Sequence, residues 1–341
     1  MKIIKLANKV RVVKKWFEKR GNTFVRVVIL GFALSFILTA CKSDTKNDPE
    51  WYLIREDVDI FVKELGTGKD TVIVVHGGFG ANHEYMIDAI KGLEKKFHFV
   101  FYDQRGSVLS PTKIENLTFQ KNVDDLYALV KDLKLTEVKF FCHSMGTLVG
   151  MEFTKQHPGL VSNLVLTGAI FPKCDSVQTV FSERMEKQVA FLSERQEVID
   201  LLKPFRDKGA DKQFPSLSEI EKTSLSHKEM TDYWRLIWAT ANIYNVKKYN
   251  LLKGGRAYYK GTAGVMVQTV NWNYDYRSVM NNTNTTIING AYDFLDFNGD
   301  TQKTLLNGFP NIRLLIIPNA GHNSWIDNPK LFKKYLLTAL K

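Results

Sequence analysis

The stretch that most narrows the choice of fold is Phe141-Cys142-His143-Ser144-Met145-Gly146-Thr147. Before it, Val138-Lys139-Phe140-Phe141-Cys142 reads as a buried strand. After it, Leu148-Val149-Gly150-Met151-Glu152-Phe153 reads as a helix, which leaves Ser144 on the corner between the two. A tight corner of this kind lifts a serine hydroxyl off the end of a sheet and sets backbone N–H groups beside it, where charge developing on a substrate oxygen can be received. The usual spacing is G-x-S-x-G, and here Cys142 stands in place of the first glycine. The pattern gains meaning only if strands alternate with helices and polar partners come after it in order.

The alternation is present. Trp51–Ile54 and Val58–Val62 read as a pair of strands, and Thr71-Val72-Ile73-Val74-Val75 is a β-branched run of the kind buried on both faces of a parallel sheet. Helical spacing over Glu84–Phe97, a strand at His98–Tyr102, an amphipathic helix over Phe119–Leu135 and a strand at Leu164–Leu166 continue it. From Phe171 to Asn271 the strand signals stop, and helical stretches such as Val180–Leu202 and Lys228–Val246 take over. Strands return at Thr285–Asn289 and Ile312–Ile317, and a helix over Pro329–Leu340 closes the chain. The expected fold class is α/β: a mostly parallel, doubly wound sheet in two parts, 51–170 and 272–341, with a helical cap at 171–271 inserted between them.

The formal charge of +11 is concentrated at the start. Nine lysines and arginines in the first 40 residues face only Glu18, so the remainder carries +3 and a nucleic-acid partner loses its main support. Those bases lead into Val27–Ala40, an uncharged run of 14 residues. A spanning helix takes about 20. Basic, apolar and small-residue regions in that order make 1–40 an expected signal peptide, with an uncleaved anchor as the alternative. Leu38-Thr39-Ala40-Cys41 looks like a bacterial lipobox. Cys41 is therefore expected to be acylated and to tether an exported protein to a membrane of the cell envelope, through a polar linker at 41–50. Only Cys142 and Cys174 come later in the chain; they are too few for a disulfide framework and read as reduced, buried thiols.

Two later strand ends carry the partners that the corner requires. Asp293 lies just past the strand at Thr285–Asn289 and His322 just past the last strand, so the order Ser, Asp, His is that of the α/β-hydrolase fold. In this reading His322 takes the Ser144 proton and Asp293 fixes the imidazole, while the oxyanion is held by the Met145 N–H and an N–H at Gly78 or Phe79. The loop His76-Gly77-Gly78-Phe79-Gly80 could instead cradle a phosphate. Against that, the Walker lysine-serine pair is missing and His83 occupies the last position of G-x-G-x-x-G. Asp296 is a rival acid, His143 either lines the pocket or packs beneath it, and His76 braces the loop. His83, His98, His157 and His227 show no spacing such as H-E-x-x-H, so neither metal nor cofactor is expected.

Longer stretches resemble a known family. His76-Gly77-Gly78-Phe79-Gly80 with His83 and Tyr85 is similar to the HGGPG-x-x-H-x-Y segment of proline iminopeptidases and the related tricorn-interacting aminopeptidases. Asp103-Gln104-Arg105-Gly106-Ser107 with Ser110 resembles their DQRGxGxS stretch. His157-Pro158 with Val161, Leu164, Val165, Leu166 and Gly168 fits the segment that comes after their corner serine. The likeness covers about 51–170 and 284–341. Phe79 stands where the family has proline, Val108 and Leu109 replace its Gly-x, and Met145 replaces a tryptophan. The resemblance implies a serine hydrolase that acts on short peptides through an acyl-enzyme, with acidic cap residues selecting a free amino terminus. Glu183 and Glu186 lie in the cap but read as a solvated helix face, and Tyr233, Trp234, Trp238 and Tyr244 read as helix-to-helix packing, with the lining of an apolar substrate pocket as the alternative. An esterase or lipase acting on small acyl esters is the alternative, and a binding protein on the same scaffold is a third.

Overall fold

The computed structural model describes residues 49–211, 225–253 and 260–341. The expected signal peptide, Cys41 and nearly all of the linker lie outside the described residues. Among those residues ten strands form: β1 (Glu50–Ile54), β2 (Asp59–Leu65), β3 (Asp70–Val75), β4 (Phe97–Tyr102), β5 (Val138–His143), β6 (Val161–Thr167), β7 (Lys173–Cys174), β8 (Tyr274–Asp275), β9 (Asn284–Gly290) and β10 (Arg313–Ile317). Eight of them join one sheet in the order β1-β2-β4-β3-β5-β6-β9-β10. The β1–β2 and β2–β4 pairings are antiparallel and all later ones parallel.

The strand sequences explain why both faces are covered. In β3, Val72 and Val74 pack into one apolar cluster while Ile73 and Val75 pack into the other. The same division separates Phe99 and Phe101 from Val100 and Tyr102 in β4, and Phe141 from Phe140 and Cys142 in β5. Strands with two apolar faces need a layer of helix on each, and they have one. The helix Phe119–Asp132 lays Val123, Leu126, Leu129 and Val130 on one face. The helix Pro329–Ala339 lays Phe332 and Leu336 on the other. Emptying one such position, Phe141→Ala, removes a fully buried ring and costs about 3–5 kcal/mol.

Two expected helices are shorter than their spacing suggested. The one drawn over Glu84–Phe97 ends at Ile90, because Gly92 turns the chain at φ 87° and Phe97 already belongs to β4. Val180–Leu202 breaks into helices ending at Val180, spanning Glu183–Ser193 and beginning at Gln196. Ser182 causes the first break: its hydroxyl caps the Met185 N–H and starts a new helix. The segment expected to lack strands carries one short strand, Lys173–Cys174, which pairs with Tyr274–Asp275 just beyond it.

The helix His227–Asn242 opens with a capping box from Ser226 and Glu229. Its far end is fastened to the loop after β10. Asn323 N–H donates to Asn242 O at 2.7 Å, and Asp327 accepts from the N–H groups of Tyr244, Asn245 and Gly321 at 2.8, 2.9 and 2.8 Å.

Candidate active site

Ser144 stands at φ 51° and ψ −126°, a conformation that costs an L-residue of order 1–3 kcal/mol and persists only where surrounding structure enforces it. The enforcement is visible. The Ser144 N–H extends the ladder to Thr167 O at 3.0 Å, and its carbonyl accepts from the backbone and hydroxyl of Thr147 at 2.8 and 2.6 Å. Gly146 is required by close approach: a Cβ there would lie 2.4 Å from His76 O. Cys142 is tolerated at the first position of the pattern because the helix offers Gly150 opposite its Sγ, where a Cβ would come within 2.6 Å. Ser144 and Met145 are partly exposed while their flanks are buried. Both remaining cysteines are free and buried, and burial pushes the Cys142 thiol far above its ordinary value.

His322 and Asp293 meet. The imidazole Nδ1 lies 2.9 Å from Asp293 Oδ1, which also accepts the Leu295 N–H at 3.0 Å, and both side chains are buried. The ring of His322 is held between Phe294 and His143, each with its centroid 4.6 Å away. Gly168, at φ 53°, makes this possible, since a Cβ would stand 2.7 Å from His322 Nδ1 and 3.0 Å from His143 Nε2. The rival acid is occupied elsewhere: Asp296 accepts from the Thr301 and Gln302 N–H groups at 3.0 and 2.8 Å and pairs with Arg184 at 3.1 Å.

The loop His76–Gly80 rests on a buried polar lattice. Gln104 N–H donates to His76 Nε2 at 3.0 Å, so the His76 proton sits on Nδ1 and is given to Gly77 O at 3.0 Å. Burial keeps His76 below the usual histidine range, hence neutral. Asn122 supports the Gln104 amide from the helix Phe119–Asp132, and His83 Nδ1 contacts Asp103 Oδ1 at 2.7 Å. Phe79 is 1% exposed and packs edge-on against Phe119. The Gly77 N–H is already taken by Tyr85 Oη at 2.6 Å.

Arg105 of the Asp103–Ser107 stretch forms a separate buried cluster. Its guanidinium makes two bonds to Asp125, at 2.7 and 2.8 Å, and one to Asn116 O. Partial burial opposes ionisation of the neighbouring Asp57, yet Arg105 and Lys121 hold its carboxyl down to about 2.

The sequence reading did not anticipate that Tyr85 bonds His143 Nδ1 at 2.8 Å, nor that Phe294 and Gly168 frame His322. Tyr85 and Gly168 carried a signal, since both lie in the stretches that resembled the aminopeptidases; Phe294 carried none. In the helical segment Glu183 pairs with Lys187 at the surface and Tyr233 is buried. Tyr244 stacks on Tyr292 at 4.1 Å under the Arg195 guanidinium. Trp234 and Trp238 do not fit a helix-packing role alone, being 60% and 52% exposed.

Comparison with known proteins agrees with the fold. A family model described as alpha/beta hydrolase fold matches residues 70–329. A relative in Agrobacterium fabrum named "Putative carbamate hydrolase RutD" is 29% identical over 98 residues, which is 28% of this chain and 38% of the relative. The matched stretch is thus well under half of that protein. The crystal structure of a proline iminopeptidase-related protein from Thermus thermophilus superposes with TM-score 0.59 at 17% identity, over 86% of this chain and 97% of the other. An esterase from Exiguobacterium antarcticum gives 0.55 at 19% identity, over 83% and 96%. At such identities the two structures speak for the fold alone.

Proposed function

The chain belongs to the α/β-hydrolase fold family, and from that premise we propose that it is a serine hydrolase working through an acyl-enzyme. The observation that carries the reading is the buried 2.9 Å contact between His322 Nδ1 and Asp293 Oδ1, made in a chain whose partly exposed Ser144 occupies a strained corner at a strand end. With Nδ1–H given to Asp293, His322 presents Nε2 as a lone pair. Ser144 Oγ attacks the acyl carbon as its proton passes to Nε2, and the carbonyl electrons move onto oxygen. The N–H groups of Met145 and of Gly78 or Phe79 receive that charge, each such donor being worth about 3–4 kcal/mol. Collapse breaks the bond to the leaving amine or alcohol, which takes the proton from His322. Water then repeats the sequence and frees the acid.

The substrate in this reading is a short peptide with a free amino terminus. Support comes from the likeness of His76–Gly80, His83, Tyr85 and Asp103–Ser107 to the aminopeptidase stretches. A second reading, a small acyl ester, is favoured by one observation: the acidic Glu183 is paired with Lys187 at 2.6 Å, both ends largely exposed, and so is turned to solvent. The mature domain should be labelled by a fluorophosphonate, and Ser144→Ala should not. Turnover of aminoacyl amides would favour the peptidase, ester turnover without amide turnover would remove it, and failure to label would favour a binding protein.

The anchor belongs to the same proposal. Acylated Cys41 would hold the enzyme to a cell-envelope membrane without any span, and no helix among the described residues is long and apolar enough to cross one. The expected result is a mature N-terminus carrying lipid by mass spectrometry, and release of Cys41→Ser into the soluble fraction.

A further inference from the structure

His143 precedes the expected nucleophile and its ring is wrapped by groups from four places in the chain. Tyr85 Oη lies 2.8 Å from its Nδ1, the edge of Trp325 faces it with centroids 5.0 Å apart, His322 lies at 4.6 Å, and Gly168 leaves room for its Nε2. The direction we assign to these hydrogen bonds starts from the first donor in the series. The Gly77 N–H donates to Tyr85 Oη at 2.6 Å, so the phenol is free to give its own proton to His143 Nδ1, which accepts. A ring that accepts on Nδ1 carries its proton on Nε2, the edge that meets His322 across Gly168.

We propose that Tyr85 and His143 are positioning residues that join the oxyanion loop to the general base, fixing one tautomer of His143 and thereby the electrostatic setting of His322. The proposal rests on the serine-hydrolase reading of the site. Burial first, and then His322 and His76, hold His143 well below the usual histidine range. Beside His322 there is therefore a neutral dipole with its positive end inward. A charged His143 would oppose the imidazolium that catalysis must form. The other ionisable groups facing the two rings are Asp293 on His322, and Tyr85 and His76 on His143.

The test is the pH profile of fluorophosphonate labelling together with ¹⁵N spectra of the histidine rings. Tyr85→Phe keeps the ring that stacks on Trp325 but removes the proton donor, so His143 is freed to carry its proton on Nδ1. The inward dipole then reverses and favours imidazolium at His322. The acid limb of labelling should move to higher pH by about half a unit. The ¹⁵N signals of His143 should change from the Nε2–H to the Nδ1–H pattern. His143→Gln, whose amide N–H takes the place of Nε2–H, should restore the wild-type acid limb, whereas His143→Phe should not. A change of plateau with no movement of the acid limb or of the tautomer would reduce the pair to packing and overturn the inference. A wild type that does not label overturns the hydrolase reading and this inference together, an outcome distinct from variants that behave as the wild type does.

Discussion

Among the described residues two histidine–aspartate pairs are buried, and by their own geometry they are nearly the same pair. His322 Nδ1 meets Asp293 Oδ1 at 2.9 Å, and His83 Nδ1 meets Asp103 Oδ1 at 2.7 Å. The difference lies on the far side of each imidazole. His83 stacks on Phe61 with centroids 5.3 Å apart, and its own backbone N–H returns to Asp103 at 2.9 Å, so the pair closes on itself and pins the start of a helix beneath the loop His76–Gly80. His322 is clasped by His143 and Phe294 at the rim of the sheet, beside the corner that carries Ser144. A carboxylate on Nδ1 orients an imidazole in either place; only the surroundings of Nε2 decide whether orientation serves proton transfer or anchorage.

Substitution should separate the two. Asp293→Asn should slow fluorophosphonate labelling about 10⁴-fold with little change in melting temperature, because the histidine loses its tautomer and not its packing. Asp103→Asn should do the reverse, costing about 3 kcal/mol in denaturant unfolding while labelling falls less than about tenfold. Equal effects on both properties in both variants would erase the distinction. Gly168→Ala should sharpen it: a Cβ 2.7 Å from the His322 ring should lower labelling about 30-fold and leave the His83 pair untouched.

Acid sharpens it further. The folded-state value of His143 lies below the ordinary 6.5, so as pH falls below that value the unfolded chain binds a proton that the folded chain refuses, and stability drops. Of the loss between about pH 7 and pH 5, about 1–2 kcal/mol should vanish in His143→Gln, measured by urea unfolding at each pH. The smallest effect expected is at Trp234, 60% exposed on the helix His227–Asn242, where Ala should change stability by under about 1 kcal/mol. A large change in KM there, with kcat unaltered, would place that helix against the substrate.

The rim of the sheet was legible in the sequence because each of its parts has a local cause. A two-sided apolar strand such as β5 can end in few ways, and Asp293 and His322 come shortly after β9 and β10 stop. Asp293 and Asp296, three residues apart, differ in their distance from the strand exit, and it is Asp293 that meets His322. The helical segment was not legible to the same depth. Apolar spacing shows that Val180–Leu202 is helical but is indifferent to a serine that caps one helix and begins another. Exposure of Trp234 and Trp238 depends on which neighbours the segment meets, a fact of packing that a single sequence does not contain. The Tyr85–His143 contact spans 58 residues, and no periodicity reports a bond of that kind.

The fastening between the helix His227–Asn242 and the loop after β10 has a mechanical consequence. Through Asn242 and Asp327, the end of that helix is bolted to the backbone on either side of His322. A displacement of that helix is therefore transmitted to the backbone around His322. In the proposed hydrolase, an acyl group that displaces the helix should lose turnover before it loses affinity.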